Sequence, residues 1–163
     1  MDLQDKIIVI TGSARGLGAA MAKRFALKGS KLALVDLKAD DIAQTAAACR
    51  NSGTDVRVYG ANVASEPDVI ALFEQIVADF GSLDGLVNNA GITRDALLVK
   101  FKDGELVSKM TLDQWQSVID VNLTGVFLCS REAAQHMVQI GNRGVIVNIS
   151  SVSRAGNMGQ SNY

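Results

Sequence analysis

Three glycines stand close together near the start of the chain, between an apolar run and a helical pattern. Residues 7–10 are Ile-Ile-Val-Ile, and Gly12, Gly16 and Gly18 follow at once. A strand that leads through such a turn into a helix presents backbone amides and the positive end of the helix dipole to a negative charge. The spacing therefore indicates a site for a phosphate-bearing ligand.

The order of these glycines, Gly-x-x-x-Gly-x-Gly, differs from the Gly-x-Gly-x-x-Gly of the common dinucleotide fingerprint. The turn also lacks the Gly-Lys-Ser/Thr ending of a P-loop, which argues against a nucleoside triphosphate. The alternative is a tight strand-to-helix connection that needs glycine only for its backbone angles. The residues of the turn that we expect to contact the ligand are Gly12, Ser13, Arg15, Gly16, Leu17 and Gly18.

An acidic residue stands at the end of the next apolar run. Residues 31–35 are typical of a short buried strand, and Asp36 follows Gly18 by 18 residues. At this distance a carboxylate can accept hydrogen bonds from the hydroxyls of an adenosine ribose, although a solvated strand-end carboxylate is the alternative. Arg15 in the glycine turn favours a 2′-phosphate, which Asp36 would repel. We therefore predict NAD as the cofactor, with NADP as the alternative.

Strand-like and helical patterns alternate along the whole chain. Five strands with helices between them predict an α/β fold, a doubly wound parallel sheet of the Rossmann type, in a single domain over 1–163. The fifth strand, 144–149, is almost wholly apolar, which predicts burial on both faces. In such sheets the ligand lies beyond the carboxyl ends of the strands. The remaining predicted elements are strands 56–59 and 84–87 and helices 16–28, 40–50 and 65–80.

Two features lie between the fourth and fifth strands. Residues 97–110 alternate between apolar and polar types around Asp103-Gly104, which predicts a β-hairpin beside the ligand site. A helical pattern then runs over 111–139 and is apolar on more than one face. One face would cover the sheet and the other would pack on a symmetric copy, so a homotetramer or homodimer is expected.

The composition argues against several classes of partner. The net charge is −1 and the chain has no long basic run, which argues against nucleic acid and anionic membranes. Cys49 and Cys129 stand far apart and His136, the only histidine, is predicted on a helix surface, so no metal site is expected. No secretory signal and no membrane-spanning run are visible, and we expect a cytoplasmic protein.

Five short segments stand at the strand ends or in the last helices of the predicted fold. They are Thr11-Gly12-x-x-x-Gly16-x-Gly18, Asn88-Asn89-Ala90-Gly91, Asp120-Val121-Asn122, Asn148-Ile149-Ser150-Ser151 and Asn162-Tyr163. In these segments and their order the chain resembles the short-chain dehydrogenase/reductase family, and within it the bacterial 3-oxoacyl-(acyl-carrier-protein) reductases. The resemblance implies an oxidoreductase that transfers a hydride between a nicotinamide cofactor and a ketone or secondary alcohol, with 3-oxoacyl thioesters as one substrate class.

The resemblance also implies roles for individual residues. Tyr163 would be the general acid or base, Ser151 would hold the substrate oxygen, and Asn122 would hold a water that relays protons. The family's usual interval between serine and tyrosine favours Ser150, whereas alignment on the preceding strand favours Ser151. Beyond the glycine turn, the residues expected to line the cofactor site are Asp36, Leu37, Asn62 (more often aspartate in the family), Val63, Asn88, Asn89, Ala90 and Gly91.

The family pattern Tyr-x-x-x-Lys places a lysine one helical turn beyond the tyrosine, on the same face. The chain ends at Tyr163, so we expect a domain that is incomplete at its C-terminus, without its last strands and helices, and inactive as it stands. The competing function is a non-catalytic NAD(P)-binding sensor or scaffold, and the lysine of the parent protein would discriminate between the two. The glycine spacing disfavours a nucleotide-sugar epimerase.

Overall fold

The computed structural model describes residues 2–163 and contains one parallel sheet and one separate hairpin. The sheet consists of β1 (Ile7–Thr11), β2 (Lys31–Asp36), β3 (Val56–Gly60), β4 (Gly85–Asn88) and β7 (Val145–Asn148), and the hairpin of β5 (Val99–Lys102) and β6 (Glu105–Lys109). The strand order β3-β2-β1-β4-β7 reverses direction between β1 and β4. Ligands bind at such a reversal, beyond the carboxyl ends of the strands.

Helices cover both faces of the sheet, which confirms the doubly wound α/β prediction. A cluster of buried side chains that includes Phe73 and Leu128 lies on one face, and a second cluster that includes Ala22 and Ile42 lies on the other. These apolar side chains make each helix amphipathic and fix the face that it turns to the sheet. The helices are α1 (Gly16–Ala26), α2 (Ala43–Arg50), α3 (Glu66–Phe80), α4 (Leu112–Ile119) and α5 (Gly125–Ile140).

Three predicted helices differ from the observed ones in detail. The helix predicted over 40–50 begins with a 3₁₀-helix over Ala39–Ile42, and only then becomes α2. The single helix predicted over 111–139 is interrupted by a π-helical turn, Asp120–Thr124, between α4 and α5. The helix predicted over 65–80 begins at Glu66, with Ser65 at its N-cap position. The Ser65 hydroxyl donates to Asp68 Oδ1 at 2.9 Å and accepts from no backbone amide of the helix. The π-helical turn matters most, because such turns are frequent at functional sites.

Burial of the fifth strand on both faces, which its apolar run predicts, is not seen among the described residues. β7 is the edge of the sheet, and its apolar side chains Val145 and Val147 are 46% and 44% exposed. Its only partner among the described residues is β4, because no further strand follows β7 along the sheet there. An apolar edge strand with free backbone groups invites pairing with another segment.

The predicted hairpin over 97–110 is confirmed. β5 and β6 pair antiparallel around the turn at Asp103-Gly104, with a register shift after Lys100. Every residue of both strands is exposed, including Phe101 and Leu106. The hairpin therefore projects away from the main sheet, and a hydrogen bond at its base, from Met110 N–H to the Leu98 carbonyl, closes it at 3.1 Å.

Candidate functional site

The glycine turn packs directly against the segment that follows β4. Gly12 has a φ of +65°, and a Cβ there would lie 2.8 Å from Ala90 Cα. A Cβ on Gly18 would overlap the Gly12 carbonyl oxygen. Both positions therefore require glycine, one for its backbone angle and both for close approach. Gly16 has no atom within 4 Å of its Cβ position, so this side of the turn is open to a ligand.

Thr11 and Asn89 fix that contact by hydrogen bonds. Thr11 Oγ1 accepts from the backbone N–H groups of Asn89 and Ala90, each at 3.0 Å. Asn89 Nδ2 donates to the carbonyl oxygens of Thr11 and Gly12, again at 3.0 Å. The ends of β1 and β4 are thus joined into one rigid platform. Thr11 belonged to the sequence motif but was not among the predicted site residues, and its position at a strand end was the available signal.

Asp36 holds the opposite side of the turn. Its Oδ2 accepts from the Ala14 N–H at 2.9 Å, and its Oδ1 accepts from the Leu37 N–H at 2.9 Å. Thr45, which the sequence analysis missed, donates to the Ala14 carbonyl from α2 at 2.9 Å. Each carboxylate oxygen can accept more than one hydrogen bond, so Asp36 retains acceptor capacity for ribose hydroxyls.

Ser13, which we expected to contact the ligand, forms its observed hydrogen bonds within the protein. It is fully buried, and both its backbone N–H and its hydroxyl donate to the Val35 carbonyl, at 3.0 and 3.1 Å. Its observed role is to tie the turn to β2, and its contact with a cofactor stays a prediction. Gly16 and Gly18 likewise shape the turn and line none of the cavities described below.

A groove of about 450 Å³ runs along the carboxyl ends of the strands. Most of the predicted cofactor residues line it, and Asp41 adds a second acidic residue to Asp36. Asn62 Oδ1 accepts from the Ala64 N–H at 3.1 Å and closes a local turn. The glycine turn, the open side at Gly16 and Asp36 fit an adenine dinucleotide. The lining residues are Gly12, Arg15, Asp36, Leu37, Asp41, Ala61, Asn62, Val63, Asn89, Ala90, Gly91, Ile92 and Val121.

Tyr163 borders two further cavities, of about 240 and 590 Å³, which share Asn89 and Gly91 with this groove. Ser150 lines both of them, and Ser151 lines the smaller one, where its Oγ accepts from the Ser153 N–H at 3.1 Å. Both serines are therefore near the tyrosine, and the choice between them stays a prediction in favour of Ser151. Arginines also line these cavities, Arg154 the smaller and Arg15 and Arg94 the larger.

Asn122 lines the smaller cavity from the π-helical turn, but its amide is already engaged. Oδ1 accepts from the Ile92 N–H and Nδ2 donates to the Ile92 carbonyl, both at 2.9 Å. The side chain thus clamps the segment after β4 onto the helix. A water in the predicted proton relay would therefore bind the backbone of this turn and not the amide, and that relay stays a prediction.

Asn88 is buried and lines the smaller cavity and not the groove, and its predicted contact with the adenosine stays a prediction. Its Nδ2 donates to Ser130 Oγ at 2.9 Å and to Asn148 Oδ1 at 2.8 Å. It therefore joins β4 to α5 and to β7, directly beneath the serine-bearing loop. Asn162, beside the tyrosine, is also buried, and the sequence analysis gave it no role.

Other chemistries find little support in the described residues. Burial raises the pKa of the Cys129 thiol to about 12, and burial also raises that of Cys49 despite the nearby Lys23 and Arg50 charges. Neither thiol is therefore a ready nucleophile. Within residues 2–163, no group of three or more His, Cys, Asp or Glu side chains is placed to hold a metal ion. No helix in that range has the length and apolarity that crossing a membrane requires.

Comparison with known proteins agrees with this geometry. The family model described as short chain dehydrogenase matches residues 6–163. The short-chain reductase protein NovJ of Streptomyces niveus is 41% identical over 160 residues, which are 98% of this chain and 57% of that protein. The 3-oxoacyl-(acyl-carrier-protein) reductase FabG of Staphylococcus aureus is 40% identical over 160 residues, which are 97% of this chain and 61% of that protein. The chain thus spans about 60% of the length of these relatives.

Solved structures show the same architecture. The crystal structure of an NAD⁺-bound xylitol dehydrogenase superposes with a TM-score of 0.89 at 29% identity, covering 100% of this chain and 60% of that one. A short-chain type dehydrogenase/reductase from Mycobacterium marinum superposes with a TM-score of 0.90 at 28% identity, covering 99% of this chain and 63% of that one.

Proposed function

Because the chain belongs to the short-chain dehydrogenase family, we propose that the protein is an oxidoreductase that transfers a hydride between a nicotinamide cofactor and a ketone or secondary alcohol. The observation that carries this proposal is that Tyr163 and both serines line a cavity which shares Asn89 and Gly91 with the groove lined by Gly12 and Asp36. A bound nicotinamide would supply or accept the hydride. Turnover by the protein expressed from its complete gene, followed by cofactor absorbance over a panel of ketones and alcohols, tests the proposal.

The residues of the chain would manage charge and protons. As a ketone gains a hydride, negative charge develops on its oxygen, which a hydrogen-bond donor and a proton donor must stabilise. We assign the proton to the Tyr163 phenol and the hydrogen bond to the Ser151 hydroxyl, which keeps a donor because its Oγ is an acceptor toward Ser153. In the oxidative direction the same phenol would accept the proton.

For the substrate, we propose a 3-oxoacyl thioester as the first compound to test. The similarity to the reductase FabG supports this substrate class. The exposed hairpin β5–β6, beside the loop that carries Arg94, could contact the substrate, so other ketones and alcohols must be tested as well. The panel should therefore contain a 3-oxoacyl thioester, a small 3-keto acid, a polyol and a cyclic secondary alcohol. We also propose that the protein is cytoplasmic and binds neither nucleic acid nor membranes.

The competing function is a non-catalytic NAD(P)-binding sensor or scaffold. Such a protein needs the glycine turn and Asp36 but has no use for Ser151 and Tyr163 at a common cavity. A free tyrosine has a pKa of about 10, so a phenol needs a nearby cation for proton transfer near neutral pH. A lysine four residues beyond Tyr163 in the complete gene would supply that cation. Its presence would favour the enzyme, and turnover would decide between the two.

The first prediction concerns the cofactor. Asp36 should accept hydrogen bonds from the ribose and repel a 2′-phosphate, so NAD(H) should bind at least about tenfold more tightly than NADP(H). Asp36→Asn keeps the shape and removes the charge, and should erase most of that difference in calorimetric titrations. Asp40→Asn, an exposed carboxylate outside the groove lining, is the control. Equal affinity of the parent protein for both cofactors would contradict the role of Asp36 and assign the preference to Arg15.

The second prediction concerns assembly, for which we propose a homotetramer or homodimer. Leu123 and Phe127, in the π-helical turn and in α5, are 62% and 59% exposed, which suits packing against a second copy. The protein should sediment as a dimer or tetramer at micromolar concentration, and Leu123→Asp should lower the mass of the sedimenting assembly. Leu27→Asp, an equally exposed leucine after α1, should not. A monomeric parent protein at that concentration would refute this assembly.

A further inference from the structure

The residue before the tyrosine is anchored from two directions. Asn162 is 5% exposed, and its Nδ2 donates to the Arg94 carbonyl at 3.1 Å and to the Gln114 carbonyl at 2.9 Å. Arg94 lies in the segment after β4, and Gln114 lies in the first turn of α4. One amide group therefore joins three parts of the chain that are distant in sequence, next to the proposed proton donor.

The other end of the same side chain lacks a partner. Asn162 Oδ1 is buried and accepts no hydrogen bond from the described residues. Its orientation is fixed nevertheless, because only the NH₂ group can donate to two carbonyl oxygens. A buried acceptor without a partner costs stability, and an apolar side chain of the same shape would avoid that cost. Packing alone therefore does not account for an asparagine here, whereas its two donated bonds do.

The surrounding contacts bind the same two segments together. Gln160 Nε2 donates to the Asp95 carboxylate at 3.1 Å, and the Ala96 N–H donates to the Gly159 carbonyl at 2.8 Å. Tyr163 itself is held by a single backbone hydrogen bond, from its N–H to the Gln160 carbonyl at 3.2 Å, and is 45% exposed. The position of the phenol thus depends on the residues before it, and Asn162 is the most buried of them.

We propose that Asn162 is a positioning residue, which places the Tyr163 phenol at its two cavities by holding the tyrosine backbone against the loop at Arg94 and the start of α4. The inference rests on the proposed function of Tyr163. Asn162 lines neither cavity and so does not meet the substrate. Because a displacement of about 1 Å costs roughly 10²-fold in rate, loss of the clamp should lower kcat about ten- to hundredfold.

The variant that isolates this role is Asn162→Leu, which keeps the approximate shape and removes the unpartnered oxygen together with both donors. The Gln114 carbonyl stays satisfied, because Ser117 Oγ also donates to it at 3.2 Å. The fold should therefore survive. Asn142→Leu is the matched control, since Asn142 Nδ2 also donates to a backbone carbonyl, that of Leu83 at 3.3 Å, and both residues lie in loops before the amino ends of β7 and β4, away from Tyr163. Asn162→Ser retains one donor and should recover part of the rate.

Two measurements on the protein from its complete gene decide the proposal. In steady-state kinetics, Asn162→Leu should lower kcat while KM and the cofactor affinity stay within about twofold, and Asn142→Leu should change none of them. In the second, 3-fluorotyrosine is incorporated and the fluorine resonance of Tyr163, assigned with Tyr163→Phe, should broaden or split in Asn162→Leu only. An unchanged kcat with an unchanged resonance would overturn the proposal.

The two readouts also separate this inference from the proposed function. If the parent protein turns over no compound of the panel, the oxidoreductase assignment fails, and the fluorine resonance still tests the clamp by itself. A changed resonance in Asn162→Leu then supports the positioning role, and an unchanged one rejects it.

Discussion

Tyr163→Phe is expected to lower turnover by about 10²–10⁴-fold, the usual contribution of a general acid or base, and to leave cofactor binding nearly unchanged. Tyr163 borders both cavities near the serines. The substitution removes only its hydroxyl, so the ring and its packing remain. Steady-state rates over the substrate panel and a calorimetric titration with NAD(H) measure the two effects on one sample.

Tyr59→Phe is the matched control for that experiment. Tyr59 lies on the edge strand β3, and its OH donates to Asp79 at 2.8 Å. Burial, followed by this hydrogen bond, raises the pKa of its phenol. Its loss should affect stability and not turnover. Comparable rates for Tyr163→Phe and the parent protein would contradict the assigned proton donor.

The same assay answers whether residues 1–163 suffice. We propose that a polypeptide ending at Tyr163 is insoluble or inactive, because it presents the apolar edge strand β7 and places the tyrosine at a chain end, where positions are poorly held. Substantial turnover by that polypeptide would show that the site works without the lysine expected four residues after Tyr163. The proposed proton transfer would then have to be abandoned.

The parts of the fold that could be predicted are those that local patterns determine. β1 and β2 are short apolar runs bounded by glycine or an acidic residue, and both are almost wholly buried as predicted. The edge position of β7 does not follow from its apolar run, which specifies what a strand tolerates on its faces and not which elements lie beside it; the family resemblance, with its further strands, was the basis for expecting it. The π-helical turn was missed for a related reason. A single extra residue per turn barely changes the apolar pattern from α4 to α5.

The candidate site divides in the same way. Asp36 and the glycine turn were predictable, since both depend on spacing along one βαβ unit. Asn162 was not, because its hydrogen bonds to Arg94 and Gln114 join segments that only the fold brings together. Asn122 lines the smaller cavity and its role in the site stays a prediction, whereas its amide partner, Ile92, is set by a long-range contact. Long-range hydrogen bonds carry no signature in a single sequence.

The second large effect is expected from Gly18→Ala in the glycine turn. The added methyl group would overlap the Gly12 carbonyl oxygen and lie 2.7 Å from Asn89 Nδ2. These are backbone and fixed amide atoms, so the turn itself must shift, and overpacking of this kind costs about 1–3 kcal/mol of unfolding free energy. The shift would also break the hydrogen bond from Asn89 to the Gly12 carbonyl, now 3.0 Å, and displace the backbone amides that we propose to bind the cofactor phosphates.

We therefore expect NAD(H) affinity to fall by about tenfold to a hundredfold in Gly18→Ala, beyond the loss in thermal stability. Gly53→Ala is the control: its φ of +79° makes alanine strained, but the added methyl group meets no atom within 4 Å and the position lies outside the groove lining. That variant should lose stability alone. If Gly18→Ala bound NAD(H) as tightly as the parent protein, its glycine would serve only the strand-to-helix connection, and the phosphate site would have to lie elsewhere on the sheet.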